Sequence, residues 1–197
     1  KHGDEITSPE MSKTGYTFNG WSYNGTTYPA GEAIAIVDAG ENGAAITITA
    51  DWTANKYNAI FNANGGAWAD GDTSKTVETA FDAAIDTTTV GLTKYDAAAP
   101  TRAGYTFNGW EPTVGTMDEE GKTFNATWIA NGGITYTVVT YTMGTDGEYG
   151  EGVSKTYEGV TDATVNVKPA TVAEGFKLND SKSVYEGTVA ADGSLTL

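Results

Sequence analysis

The sequence predicts a mainly β protein, α+β with little helix, assembled from tandem small modules. Three observations carry that expectation. Threonine, whose branched Cβ favours strands, occurs 32 times. Twenty-five glycines, many in Asn-Gly and Asp-Gly pairs, punctuate the chain as turns. One heptad is used twice: Gly15-Tyr16-Thr17-Phe18-Asn19-Gly20-Trp21 returns unchanged as Gly104-Tyr105-Thr106-Phe107-Asn108-Gly109-Trp110.

Composition narrows the function classes. A chain of 197 residues is one large domain or two to three small ones. Its 39% hydrophobic and 11% aromatic content is too apolar for a disordered acidic tail. The net charge of −15 repels phosphates and anionic lipid, so neither nucleic acid nor membrane insertion is expected. There is no cysteine and a single histidine, His2, which leaves no residues for a thiolate nucleophile, a His-based triad or a multi-histidine metal site. No apolar run approaches a membrane span, and no signal-peptide pattern opens the chain. The abrupt start at Lys1-His2-Gly3 and the stop inside the alternating Ser194-Leu195-Thr196-Leu197 read as a piece of a longer protein, a monomer within it.

The heptad fixes the first element. Alternation places Tyr16, Phe18 and Gly20 on one face of a strand and Thr17, Asn19 and Trp21 on the other. Asn-Gly then marks a turn or bulge, and the kink swings Trp21 back toward the core. A second tryptophan follows each copy, in Ala50-Asp51-Trp52 and Ala126-Thr127-Trp128. The first interval is 31 residues and the second 18, so 13 extra residues near Ala33–Ala45 form a longer loop or an added hairpin. In thin modules such aromatics are chiefly packing groups, since each contributes up to about 250 Å² of surface.

Between the copies, Tyr57-Asn58-Ala59-Ile60-Phe61 reads as an opening strand that ends in the Asn64-Gly65-Gly66 turn. No Lys, Ser or Thr follows that turn at phosphate-loop spacing. Val77, Phe81 and Ile85 recur every four residues beside Ala80 and Ala84, with Asp72 or Thr73 as a cap, and mark the one helix candidate; strand is the alternative. In the last third, Ile134–Tyr141 is a strong strand signal and Asp146-Gly147 a turn. Val165-Asn166-Val167 and Phe176-Lys177-Leu178 alternate as short strands, and Glu186–Leu197 reads as a closing hairpin through Asp192-Gly193. Asn131-Gly132-Gly133 is the best linker. The expected divisions are therefore residues 1–55, 56–131 and 132–197.

Asn64-Gly65-Gly66, then Pro100-Thr101-Arg102-Ala103-Gly104-Tyr105-Thr106-Phe107-Asn108-Gly109-Trp110, then Ala126-Thr127-Trp128, resembles the Listeria–Bacteroides repeat, the B-repeat of internalin-type surface proteins. The likeness covers 56–130 as a whole repeat and 1–55 as the carboxy-terminal part of another. The first copy departs from the pattern: Pro9 stands six residues before Gly15, whereas Pro100 stands four before Gly104. The last third is similar to mucin-binding-protein-like modules, through Tyr136-Thr137-Val138, Asp146-Gly147-Glu148-Tyr149, Gly175-Phe176-Lys177-Leu178, Gly187-Thr188-Val189 and Asp192-Gly193-Ser194-Leu195. Both resemblances imply β-grasp-like modules strung along bacterial cell-surface proteins, with no catalysis and no cofactor.

The carboxylate clusters at Asp118-Glu119-Glu120 and at Asp146, Glu148 and Glu151 sit in turn-like sequence without the facing cleft that glycoside hydrolysis requires. Calcium is the more plausible use of such loops, but EF-hand spacing is absent and solvated charge is the usual reading. A Lys–Asn isopeptide bond would need a buried protonated acid beside the pair, and the sequence ranks no candidates. The expected function is non-enzymatic: a stalk or spacer of a Gram-positive-type surface protein, outside the cell, with a part in adhesion. The alternative is recognition of a host glycoprotein or polysaccharide through exposed aromatics. Trp68 and Tyr23 are the candidates for that role, since both lie outside the shared heptad and beside glycine turns.

Overall fold

A computed structural model describes residues 3–37, 45–168 and 171–197. Its described residues form strands and no helix. Five strands occupy the first quarter: β1 (Glu5–Thr7), β2 (Tyr16–Tyr23), β3 (Thr26–Tyr28), β4 (Ala33–Ala35) and β5 (Thr49–Ala54). Four follow through the middle: β6 (Lys56–Asn62), β7 (Ser74–Ala80), β8 (Tyr105–Glu111) and β9 (Lys122–Ala130). The last four are β10 (Gly132–Thr140), β11 (Val153–Val160), β12 (Thr164–Asn166) and β13 (Glu186–Thr188). The sheet orders are β1-β4, β3-β2-β5, β7-β6-β9-β8, β10-β11 and β12-β13.

The two heptads become β2 and β8, and both pair antiparallel with the strand that carries the second tryptophan. Phe18 faces Trp52 and Trp21 faces Ala50; Phe107 faces Trp128 and Trp110 faces Ala126. In each copy the register shifts at Asn-Gly. Gly20 and Gly109 take φ of 132° and 102°, a region that side chains rarely adopt, which is why glycine stands there. The extra residue brings Trp21 to the same side as Phe18, with ring centroids 5.8 Å apart, and Trp110 beside Phe107 at 5.2 Å. The kink expected from Asn-Gly is thus a β-bulge.

The helix expected around Val77, Phe81 and Ile85 is instead β7 and the turn after it. Recurrence every four residues is also a multiple of two, so it fits one face of a strand equally well. The stiff β-branched Thr76, Val77 and Thr79 then favour the strand. Asp82, with φ of 58°, breaks any continuation into helix. Two strand expectations in the last third also change. Phe176-Lys177-Leu178 follows a glycine turn, has no partner strand among the described residues, and leaves Phe176 half-exposed. Residues 186–197 do not close as a hairpin: β13 pairs with β12, and Leu195 and Leu197 bond to Thr137 and Val139 of β10. Of the added segment expected near Ala33–Ala45, β4 pairs with β1, while residues 38–44 lie outside the described residues, as does His2.

The chain divides into two compact units. One gathers Lys1–Ile60, Thr76–Asp86 and Val114–Phe124. Its core is Tyr23, Ile34 and Ile36, with Trp21, Tyr28, Ile46 and Ile48 packed on them. Buried Ser8 ties the loop beneath this core: its hydroxyl reaches the carbonyls of Pro29 and Glu32 at 2.9 and 2.8 Å. Asn24 and Gly25, with φ of 47° and 77°, make the tight β2–β3 hairpin turn.

The other unit gathers Phe61–Lys75, Thr87–Thr113 and Asn125–Leu197. Phe61, fully buried, meets Trp110 edge-on at 4.9 Å, and Trp68 stacks on Trp110 at 6.0 Å. Trp110 donates its indole N–H to Gly91 O at 2.7 Å, and Trp128 donates to Ala63 O and Asn64 O at 3.1 Å each. Buried Trp110 and half-buried Trp128 therefore both keep an acceptor for the indole N–H. Gly66 permits this packing, because a Cβ there would lie 2.5 Å from the Trp128 ring. In the last third, Tyr136 stacks on Tyr157 at 5.7 Å beside fully buried Val189.

Candidate functional site

One arrangement occurs twice, once within each compact unit, at two places where consecutive strands almost touch in sequence. A single residue separates β5 from β6, and a single residue separates β9 from β10. Both are asparagine, Asn55 and Asn131. Asn55 N–H donates to Gly15 O at 2.9 Å, and Asn131 N–H to Gly104 O at 2.9 Å. The asparagine carbonyls accept from Phe81 N–H at 2.8 Å and Thr161 N–H at 2.9 Å. Their side-chain Oδ1 atoms accept from the heptad threonines, Thr17 at 2.5 Å and Thr106 at 2.7 Å. Each asparagine thus binds the heptad behind it and the strand-ending turn ahead of it.

The first glycine of the heptad completes the joint. Gly15 and Gly104 both have φ of 75°. A Cβ on Gly15 would sit 2.3 Å from the Phe81 ring; on Gly104 it would sit 2.5 Å from Ala191 Cβ and 2.7 Å from Thr161 Cγ2. The neighbouring turn therefore presses directly on bare backbone. The heptad tyrosine flanks this contact. Tyr16 meets Phe81 edge-on at 5.6 Å, and Tyr105 donates its hydroxyl to Asp162 at 2.5 Å. That carboxylate holds the Tyr105 phenol above its ordinary pKa. A cation covers each ring, Lys13 over Tyr16 at 3.6 Å and Arg102 over Tyr105 at 3.9 Å.

The turns ahead of the two joints match as well. Asp82 and Asp162 are left-handed at 58° and 60° and donate to Met117 O and Val189 O. Met117 and Val189 return their N–H groups to Ala83 O and Ala163 O, at 3.0 Å each. Both side chains are buried. The last third is thus built around its joint on the same hydrogen-bond plan as the middle, although no heptad marks it.

The aromatic candidates lie in cores. Trp68 is 5% exposed and donates its indole N–H to Val90 O at 3.3 Å. Tyr23 is 6% exposed and gives its hydroxyl to Val37 O. Both are core packing groups: Trp68 stacks on Trp110, and Tyr23 packs with Ile34 and Ile36. The acidic clusters remain at the surface. Asp118 pairs with Lys122 at 3.2 Å, and no group of three or more His, Asp or Glu converges among the described residues. Lys56 and Lys75 face the carboxylates of Glu78 and Asp70. Asn131 was legible as part of a linker, but Gly132 and Gly133 belong to β10. The spacing of three from Trp52 to Asn55 and from Trp128 to Asn131 was the available signal for the joint. Phe81 and Thr161 share no residue type and had none.

A family model for the Listeria-Bacteroides repeat domain matches residues 1–38 and 57–135, more than half of the chain. The chain belongs to the Listeria-Bacteroides repeat family. Both heptads, both bulges and the first joint's glycine fall inside or beside the matched stretches. Repeats of this family occur in surface proteins and are typically non-enzymatic structural modules. Among the described residues, no helix is long and apolar enough to cross a membrane.

Proposed function

We propose that this chain is a stalk or spacer segment of an extracellular, Gram-positive-type bacterial surface protein, contributing to adhesion by holding other parts of its parent away from the cell. The observation that carries the reading is the one-residue asparagine joint, made the same way twice. A flexible tether would use several glycines and serines. Here one residue satisfies both neighbours and leaves little slack. The joints support three modules at residues 1–55, 56–131 and 132–197, the last as a divergent, mucin-binding-protein-like one. The acidic surface keeps such a segment soluble and unaggregated. The reading involves no reaction, cofactor or metal.

The test is a displayed parent protein with a ligand-binding tag at its tip. Deleting the chain, or inserting Gly-Ser-Gly after Asn131, is expected to reduce capture of a tethered target while leaving tag affinity in solution unchanged. The competing reading, glycoprotein or polysaccharide recognition, predicts a signal on a glycan array or mucin surface that disappears with Trp68→Ala. Such a signal, with capture indifferent to deletion, would overturn the spacer.

A further inference from the structure

The same heptad in the same register is covered to different depths in its two copies. Phe107 and Trp110 are 5% and 7% exposed, whereas Phe18 and Trp21 are only half-buried. Local sequence cannot explain this, since the heptads are identical. The difference lies at the neighbouring edge. β9 is flanked on both sides, by β8 and β6. Among the described residues, β5 is paired with β2 alone and ends its sheet.

The second copy shows what fills such an edge. β6 advances in step with β9: Gly121 lies against Asn58 O, Asn62 meets Asn125 at 3.3 Å, and Asn64 reaches Ala126 O at 3.0 Å. The two strands therefore run in the same direction. β6 inserts Phe61 against Trp110, and its closing Asn64-Gly65-Gly66 turn supplies a carbonyl to the Trp128 indole. The corresponding Trp52 touches Phe18 at 5.0 Å, but its indole N–H has no acceptor among the described residues. An unpaired strand edge bordered by half-covered aromatics is a template for strand addition.

We propose that the free edge of β5, with Phe18, Trp21 and Trp52 beside it, is an acceptor site for a β-hairpin of the β6–β7 type. The occupant is defined chemically. It is an extended strand with apolar groups at alternate positions and an aromatic one at the place of Phe61. An Asn-Gly-Gly turn at its end turns a carbonyl toward Trp52. Glycine is required in that turn, because the Gly66 backbone approaches the Trp128 ring closer than any Cβ allows. The strand enters parallel to β5. The site is independent of the spacer reading, and either stands if the other fails.

The experiment uses the whole 197-residue chain, labelled with 15N, and a synthetic peptide of residues 56–80 as the probe. Saturable shifts are expected in the amides of residues 49–54, with a half-point below about 100 μM. A blue shift of tryptophan emission should accompany them. A peptide carrying Phe61→Asp should bind at least about tenfold more weakly. The change sits in the peptide, so the acceptor remains folded. The proposal is overturned if no β5 amide moves up to about 1 mM peptide, or if the Phe61→Asp peptide binds equally well. It is also overturned if shifts fall only on β8 and β9, or if sedimentation shows the chain pairing with itself through β5.

Discussion

Gly104 and Gly25 have nearly the same backbone, with φ of 75° and 77°, and opposite surroundings. A Cβ at Gly25 meets nothing within 4 Å, while one at Gly104 strikes Ala191 and Thr161. Gly25→Ala is expected to cost about 1–2 kcal/mol for the left-handed conformation alone. Gly104→Ala should cost about 1–3 kcal/mol more, for overpacking at the joint. Thermal or denaturant unfolding of the two variants, compared directly, isolates the close approach. Equal costs would mean that the joint yields freely.

Asp96 offers a second residue-scale test. Its carboxylate accepts the N–H groups of Leu92 and Thr93, both at 2.7 Å, and these hold its pKa below the usual carboxylate range. A depressed folded pKa gives a contribution that is present above the unfolded value, about 3.9, and is lost as pH falls through the folded one. The Leu92 and Thr93 amide resonances should therefore shift together below the unfolded pKa. In Asp96→Asn that titration should vanish, and its persistence would assign it to another group.

At the scale of the element, the bulged strands invite comparison of paired tryptophans. Trp110→Ala is expected to destabilise by about 3–5 kcal/mol, since its ring lies between Phe61, Trp68 and Phe107. Trp21→Ala should cost distinctly less, because its ring is half-exposed. Chemical denaturation checks both, and iodide quenching of the single-tryptophan forms should reach Trp21 more readily. The bulge itself was legible in Asn-Gly, and the opening strand β6 in its alternation. β7 was legible only as the alternative to a helix, because Val77, Phe81 and Ile85 satisfy two periods at once, and the β-branched Thr76, Val77 and Thr79 together with Asp82 decide between them. The burial of Trp68 and Tyr23 was hidden for a related reason: a residue beside a glycine turn reads as exposed until its distant packing partners, Trp110 for one and Ile34 and Ile36 for the other, are known. At the joint, Asn55 and Asn131 were visible as residues. Their role depends on the carbonyls of Gly15 and Gly104 some 40 and 27 positions earlier, and no local pattern reports it.

At the scale of the whole molecule, the repeat was readable from two heptads, and the family model extends over more than half of the chain. The last third was readable as β, with a looser likeness to mucin-binding-protein-like modules, but not as kin to the middle, since it repeats the hydrogen-bond plan of Asp82 and Met117 at Asp162 and Val189 without repeating the heptad. Inserting Gly-Ser-Gly after Asn131 separates the parts of this plan. Circular dichroism should remain that of a β protein, while amide exchange at Thr161 and Asn131 accelerates by at least about tenfold, for the loss of roughly 1.4 kcal/mol of protection. Unchanged exchange would show that the neighbouring turns hold without the asparagine.

The acceptor carbonyls of Gly15 and Gly104 stand immediately before β2 and β8, while the groups that press on these glycines come from sequence further along. Fraying of a heptad strand therefore loosens whatever follows it, and loss of the following turn withdraws support from the heptad by the same amount, because the free energy of a shared joint is reciprocal. Stability then spreads from each stretch to its neighbour in both directions, like tension along a row of linked hands.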